Sequence, residues 1–70
     1  MKEVLVNEEP VELYKLIKFV GMAASGGEAK AMIAEGQVLV NGLVETRKRR
    51  KLMSGDTVEL GGIRVQVRLA

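Results

Sequence analysis

The sequence has no cysteine, no histidine and no tryptophan, and it has one proline, one tyrosine and one phenylalanine. Without cysteine there are no disulfide staples, thiol nucleophiles or thiolate metal ligands. Without histidine there is no imidazole general base and no zinc-finger ligand set. Tyr14 and Phe19 are too few rings for a platform that splays single-stranded bases over several aromatics. No apolar run approaches the roughly 18 residues a membrane-spanning helix needs, and the N-terminus lacks the basic, apolar and small-residue order of a secretory signal. These absences lead to the expectation of a soluble cytoplasmic chain with no cofactor, no metal and no membrane partner.

What is present suffices for one core. Seventy residues, 47% of them hydrophobic, predict a single domain over residues 1–70, although a chain of this size buries only about 60% of its unfolded surface. The net charge of +2 is small, but its distribution is uneven. Residues 1–40 hold four cations against six acids, whereas residues 41–70 hold seven against three. Positive charge concentrated on a near-neutral chain points to a local anionic partner.

The hydrophobic pattern predicts the elements. Val4 and Val6 fall on one face of a short extended start. Pro10 suits the first turn of a helix, with Glu8, Glu9 and Glu12 near the positive end of its dipole. Leu13, Leu16, Ile17 and Val20 then form a stripe of about three turns that Gly21 ends. Ser25 and Glu28 have the spacing of a capping box, in which Ser25 Oγ accepts the N–H of residue 28 and the Glu28 carboxylate reaches back to that of residue 25. Ala29, Met32 and Ile33 mark a second, shorter helix ended by Gly36, with Met22, Met32 and Met53 as core gap-fillers.

After Gly36 the period changes to two. Asn41-Gly42 between Gln37–Val40 and Leu43–Thr46 is a strong hairpin signal, because a type I′ turn needs positive φ at both central residues. A second hairpin joins Thr57–Leu60 to Ile63–Leu69 through Gly61-Gly62, with Ile63, Val65, Val67 and Leu69 inward and Arg64, Gln66 and Arg68 outward. The fold class is therefore α+β, two helices packed on a small, mostly antiparallel sheet.

No enzyme is expected. Ser25 has no base, the carboxylates sit at surface or turn positions, and Gly26-Gly27 matches no phosphate-binding loop. The main chemical feature is the run Arg47, Lys48, Arg49, Arg50 and Lys51. Five adjacent cations repel one another unless an anion compensates, and the planar forks of three arginines match phosphate. Ser25 and Lys30 could share this surface through the N–H groups at the start of the second helix. Arg64 and Arg68 read as solvated residues of an outer sheet face.

The pieces from Ser25 to Leu60 together resemble the RNA-binding domain named after bacterial ribosomal protein S-four. The residues that carry the resemblance are Ser25, Ala29-Lys30, Ile33, Gly36, Val38, Val40-Asn41-Gly42 and Gly55-Asp56. The whole chain resembles small stand-alone bacterial members of the YbcJ and YaaA type, with S-G-G before the second helix, A-K within it and a basic run ending R-K-L. The resemblance implies an αL motif, two helices and a hairpin loop forming an RNA-docking corner. It implies RNA contacts at Ser25, Lys30, Asn41, Arg47, Lys48, Arg49, Arg50 and Lys51. Gly26 departs from the broader family, which often has Arg there, and so removes one phosphate contact.

The function expected is a non-catalytic, monomeric RNA-binding protein on structured RNA, with ribosomal RNA or ribosomal particles as partners. The alternatives are a protein-interaction adaptor with a basic surface, and an RNA-targeting accessory to a separate modifying or ribosome-assembly factor.

Overall fold

The computed structural model describes all residues, Met1–Ala70. The extended start is strand β1 (Lys2–Val6), which pairs in parallel with the last strand, β7 (Ile63–Leu69), Lys2 opposite Val65 and Val6 opposite Leu69. Pro10 does not open a helix. It follows a cis peptide bond, and Val11–Glu12 forms a two-residue strand, β2, antiparallel to β5 (Lys51–Leu52). This pairing delays helix α1 to Leu13–Phe19, seven residues instead of three turns. Leu13, Leu16 and Ile17 are its buried stripe, and Gly21, with φ of +83°, ends it as the sequence predicts.

Helix α2 spans Gly26–Ala34. Ser25 caps it from an extended conformation, its Oγ accepting the Glu28 N–H at 3.1 Å. The reciprocal bond is shifted by one residue, because the Glu28 carboxylate accepts from the N–H of Ala24 at 3.0 Å. Gly36 leaves the helix in the left-handed region, φ +79°, a conformation costly for residues with a Cβ.

The remaining chain supplies β3 (Val38–Val40), β4 (Leu43–Val44) and β6 (Thr57–Leu60). The five-stranded sheet has the order β1-β7-β6-β3-β4, antiparallel except at β1 with β7. Asn41 and Gly42 both have positive φ, as the type I′ turn requires. The core joins the helix stripes (Leu13, Leu16, Ile17, Ala29, Ile33) to Val38, Val40, Val58, Val65 and Val67 of the sheet, with Leu52 of β5 closing one side.

Three expectations fail at the edges. Only Val65 and Val67 of β7 are buried, while Ile63 and Leu69 near the strand ends are exposed. Met53 is also exposed, unlike Met22 and Met32, which pack against the core. The alternation places a side chain on a face, but a small sheet has core only at its centre. No helix is long and apolar enough to cross a membrane.

Candidate nucleic-acid interface

The basic run is clamped to α1. Glu12 stands at the N-cap of α1 without a side-chain capping bond, so the first helical N–H groups need other acceptors. The run supplies them. Leu13 N–H donates to the Arg50 carbonyl at 2.9 Å and Tyr14 N–H to the Lys48 carbonyl at 3.1 Å. Arg50 N–H donates to the Arg47 carbonyl at 3.1 Å, closing the turn, and Lys51 then enters β5 beside Glu12. Pairing and capping together fix the backbone that carries the five cations.

The repulsion expected within the run is answered largely from inside the molecule. Glu45, the one buried charged residue, accepts from Arg47 Nε at 3.0 Å, Arg47 Nη2 at 2.9 Å and Arg50 Nη1 at 2.8 Å. It also accepts from the Arg47 N–H at 3.0 Å. The Arg47 side-chain bonds, followed by those of Arg50, hold the Glu45 carboxyl well below the usual carboxylate range. Glu45 in turn raises the pKa of the Arg47 guanidinium. Glu12 Oε2 lies 3.5 Å from Arg49 Nη1, and Glu12 Oε1 lies 3.2 Å from Lys15 Nζ. Lys15 first, then Arg49, lower the pKa of Glu12. Much of the anionic compensation that the run needs is therefore supplied by Glu45 and Glu12 of the same chain. The cations left without an ion pair here are Lys48 and Lys51 of the run and Lys30 of α2.

Side chains of Arg47, Arg49, Arg50 and Lys51 line an open depression of about 640 Å³. Tyr14 stands between the run and α2. Lys30 Nζ is 4.6 Å from its ring centroid, Arg49 Cζ 5.7 Å and Lys15 Nζ 5.9 Å. Gly26 faces the same ring, and a Cβ there would meet Tyr14 Cε2 at 3.8 Å, an ordinary contact. Lys30 and the basic run, 17 or more residues apart in the chain, thus meet at one ring.

The other two candidates have internal roles. Ser25 Oγ caps α2. The Asn41 amide donates to Asp56 Oδ1 at 3.1 Å, and its carbonyl oxygen accepts from Thr57 N–H at 2.9 Å, tying the hairpin turn to the start of β6. Arg64 and Arg68 lie on β7, paired with Glu59 and Glu3 respectively.

Sequence reasoning missed Tyr14, Lys15, Glu12 and Glu45. The Arg47–Glu45 pair was the most accessible, since its partners are two residues apart. Nothing local in the sequence marks Tyr14, because its partners lie on α2 and in the 47–51 turn.

Comparison with known proteins gives the same architecture. Residues 4–68 match the family model described as "S4 domain". "Putative RNA-binding protein YbcJ" of Escherichia coli (strain K12) is 56% identical over 57 residues, 81% of each chain. "Probable ribosome maturation protein RlbA" of Bacillus subtilis (strain 168) is 39% identical over 57 residues, 81% of this chain and 80% of that one. The solution structure of YbcJ from E. coli, described as revealing an αL motif involved in RNA binding, superposes with a TM-score of 0.73. That superposition covers 97% of this chain and 87% of the other at 49% identity. A match over nearly the whole chain, with the two helices, hairpin and sheet in the same arrangement, shows that this chain belongs to the S4 domain family.

Proposed function

We propose that the protein is a non-catalytic RNA-binding protein that docks on structured RNA through the face formed by α1, the start of α2 and residues 47–51. The observation that carries this reading is the clamping of the basic run onto α1 beside Lys30. Cations on a fixed backbone form a surface of set shape, which suits the regular phosphate spacing of a folded RNA better than the variable path of a single strand. The scarcity of aromatics favours the same ligand. Family membership and the name of the Escherichia coli relative support RNA as the partner, and the ribosome-maturation name of the Bacillus subtilis relative favours an RNA of the ribosome as its class.

The candidate residues divide into two roles. Lys30, Lys48 and Lys51, which lack ion pairs, and Arg47, Arg49 and Arg50, which keep guanidinium edges around the open depression, contact phosphate. Ser25 and Asn41 shape the surface by capping α2 and fixing the hairpin turn. Contacts of this kind give affinity that depends little on sequence and falls steeply with salt. An RNA ligand of this class implies a cytoplasmic site of action.

The test is a salt titration of binding to a structured ribosomal RNA fragment, duplex DNA and heparin in parallel. Tighter binding to the RNA fragment than to the other two at equal salt is the expected result. Equal binding to all three would reduce the surface to a generic polyanion site and favour the protein-interaction reading.

A further inference from the structure

We propose that Tyr14 is the positioning residue of the basic face, its ring gathering Lys15 of α1, Lys30 of α2 and Arg49 of the 47–51 turn into one site for a single backbone phosphate. This rests on the RNA reading above and adds to it a residue and a local stoichiometry.

The three cationic groups lie between 4.6 and 5.9 Å from the ring centroid, within reach of the negative face of an aromatic quadrupole. They have one carboxylate among them. Glu12 offers one oxygen to Lys15 and the other to Arg49, which leaves Lys30, the nearest of the three, with the ring as its counterpart. Three positive charges against one negative charge leave an excess that a phosphodiester would partly neutralise. Tyr14 is itself well fixed. Its N–H is bonded to the Lys48 carbonyl, and its side chain packs against the core.

Gly26 lies beside the ring, where a Cβ would make an ordinary contact. It places the start of α2 against the flank of the ring, with no side chain between them. Long cationic side chains lose rotamer freedom on gripping a ligand, so holding them together beforehand lowers that cost. The ring is therefore a post for cations, and a nucleobase is not its expected occupant, because an ammonium group already lies over it.

The test combines five variants with one measurement on the free protein. In the free wild-type protein, the Lys30 side-chain methylene next to Nζ should show an upfield ring-current shift by NMR. The shift should persist in Tyr14→Phe and vanish in Tyr14→Leu. In RNA titrations, Tyr14→Phe should stay within about twofold of wild type. Tyr14→Leu should weaken binding about three- to tenfold, the size of one or two exposed cation–π contacts. It should also flatten the log–log salt slope by about 0.7–0.9, one phosphate contact. Lys30→Gln should cost less affinity in the Tyr14→Leu background than in wild type.

A folded Tyr14→Leu variant with wild-type affinity and slope would overturn the proposal. So would an unshifted Lys30 methylene in the free protein, which decides the matter even if the leucine variant does not fold. A double variant, Lys48→Gln with Lys51→Gln, separates the two readings. If it weakens RNA binding and Tyr14→Leu does not, the role of Tyr14 fails and the RNA reading stands. If wild type binds RNA no better than heparin, the RNA reading fails, and with it the phosphate site.

Discussion

The two sets of arginines in this molecule are set up differently. On the outer face of β7, Arg64 and Arg68 each have one carboxylate, Glu59 and Glu3, on the neighbouring strands β6 and β1. Charge there is matched one to one along a sheet. At residues 47–51, three of the five cations share two carboxylates, Glu45 and Glu12, Lys48 and Lys51 have none, and Glu12 also serves Lys15. The sheet face is electrically closed, and the loop face has cations to spare. The difference lies in where the acids are, since both regions are exposed and rich in arginine. What separates the two faces is the charge left over after each face's carboxylates are counted against its cations.

The largest effect should come from removing the surplus. Replacing Lys30, Lys48 and Lys51 together by Gln should lower affinity for structured RNA roughly tenfold or more near physiological salt. It should also reduce the salt slope by about 2–3, the release expected for three phosphate contacts. The thermal midpoint should change little, because none of the three has an ion pair to lose. Unfolding of that variant would show that the lysines are structural and would erase the distinction between the two faces.

Glu45→Gln should act in the opposite way, mainly on stability. The substitution removes charge-assisted bonds to Arg47 and Arg50 from a buried carboxylate. A loss of roughly 1–3 kcal/mol is expected in chemical denaturation.

The same residue predicts a pH dependence. Its pKa is lowered in the folded state, so folding favours the ionised carboxylate. That stabilisation is present in full above the ordinary carboxylate range and declines as pH falls below it. The gap in denaturation midpoints between wild type and Glu45→Gln should therefore narrow as the pH is lowered from 6 to 3. A gap of constant size would show that the Arg47–Glu45–Arg50 cluster contributes through packing instead of charge.

The smallest effect belongs to the matched face. Arg64→Gln with Arg68→Gln should cost at most about 1 kcal/mol per exposed pair and leave the salt slope for RNA unchanged. A slope change as large as that of the lysine variant would mean that β7 also touches RNA and that internal pairing is a poor guide to function.

Much of this fold was legible because its signals are local. The Leu13, Leu16 and Ile17 stripe, the Ser25 cap, the left-handed Gly36 and the Asn41-Gly42 turn each involve residues within a few positions of one another. The β2–β5 pair was not legible. Two residues on each side carry no periodicity, and their pairing joins Val11 to Leu52 across most of the chain. That hidden pair also explains the misplaced start of α1, since Val11 and Glu12 are held extended. The basic run was obvious as composition, but its accounting was not. Glu12 reaches Arg49 across 37 positions, and Tyr14 meets Lys30 only after α1 and α2 have packed. Residue types therefore announced a charged surface, while the tertiary fold determined which charges remain free.

The most direct test is to map, by backbone and side-chain amide NMR, which residues respond to a structured ribosomal RNA fragment at moderate salt. The account predicts shifts concentrated at Tyr14, Gly26, Lys30 and residues 47–51, with Arg64 and Arg68 unmoved. Shifts centred on β7, or spread evenly over every exposed cation, would contradict it.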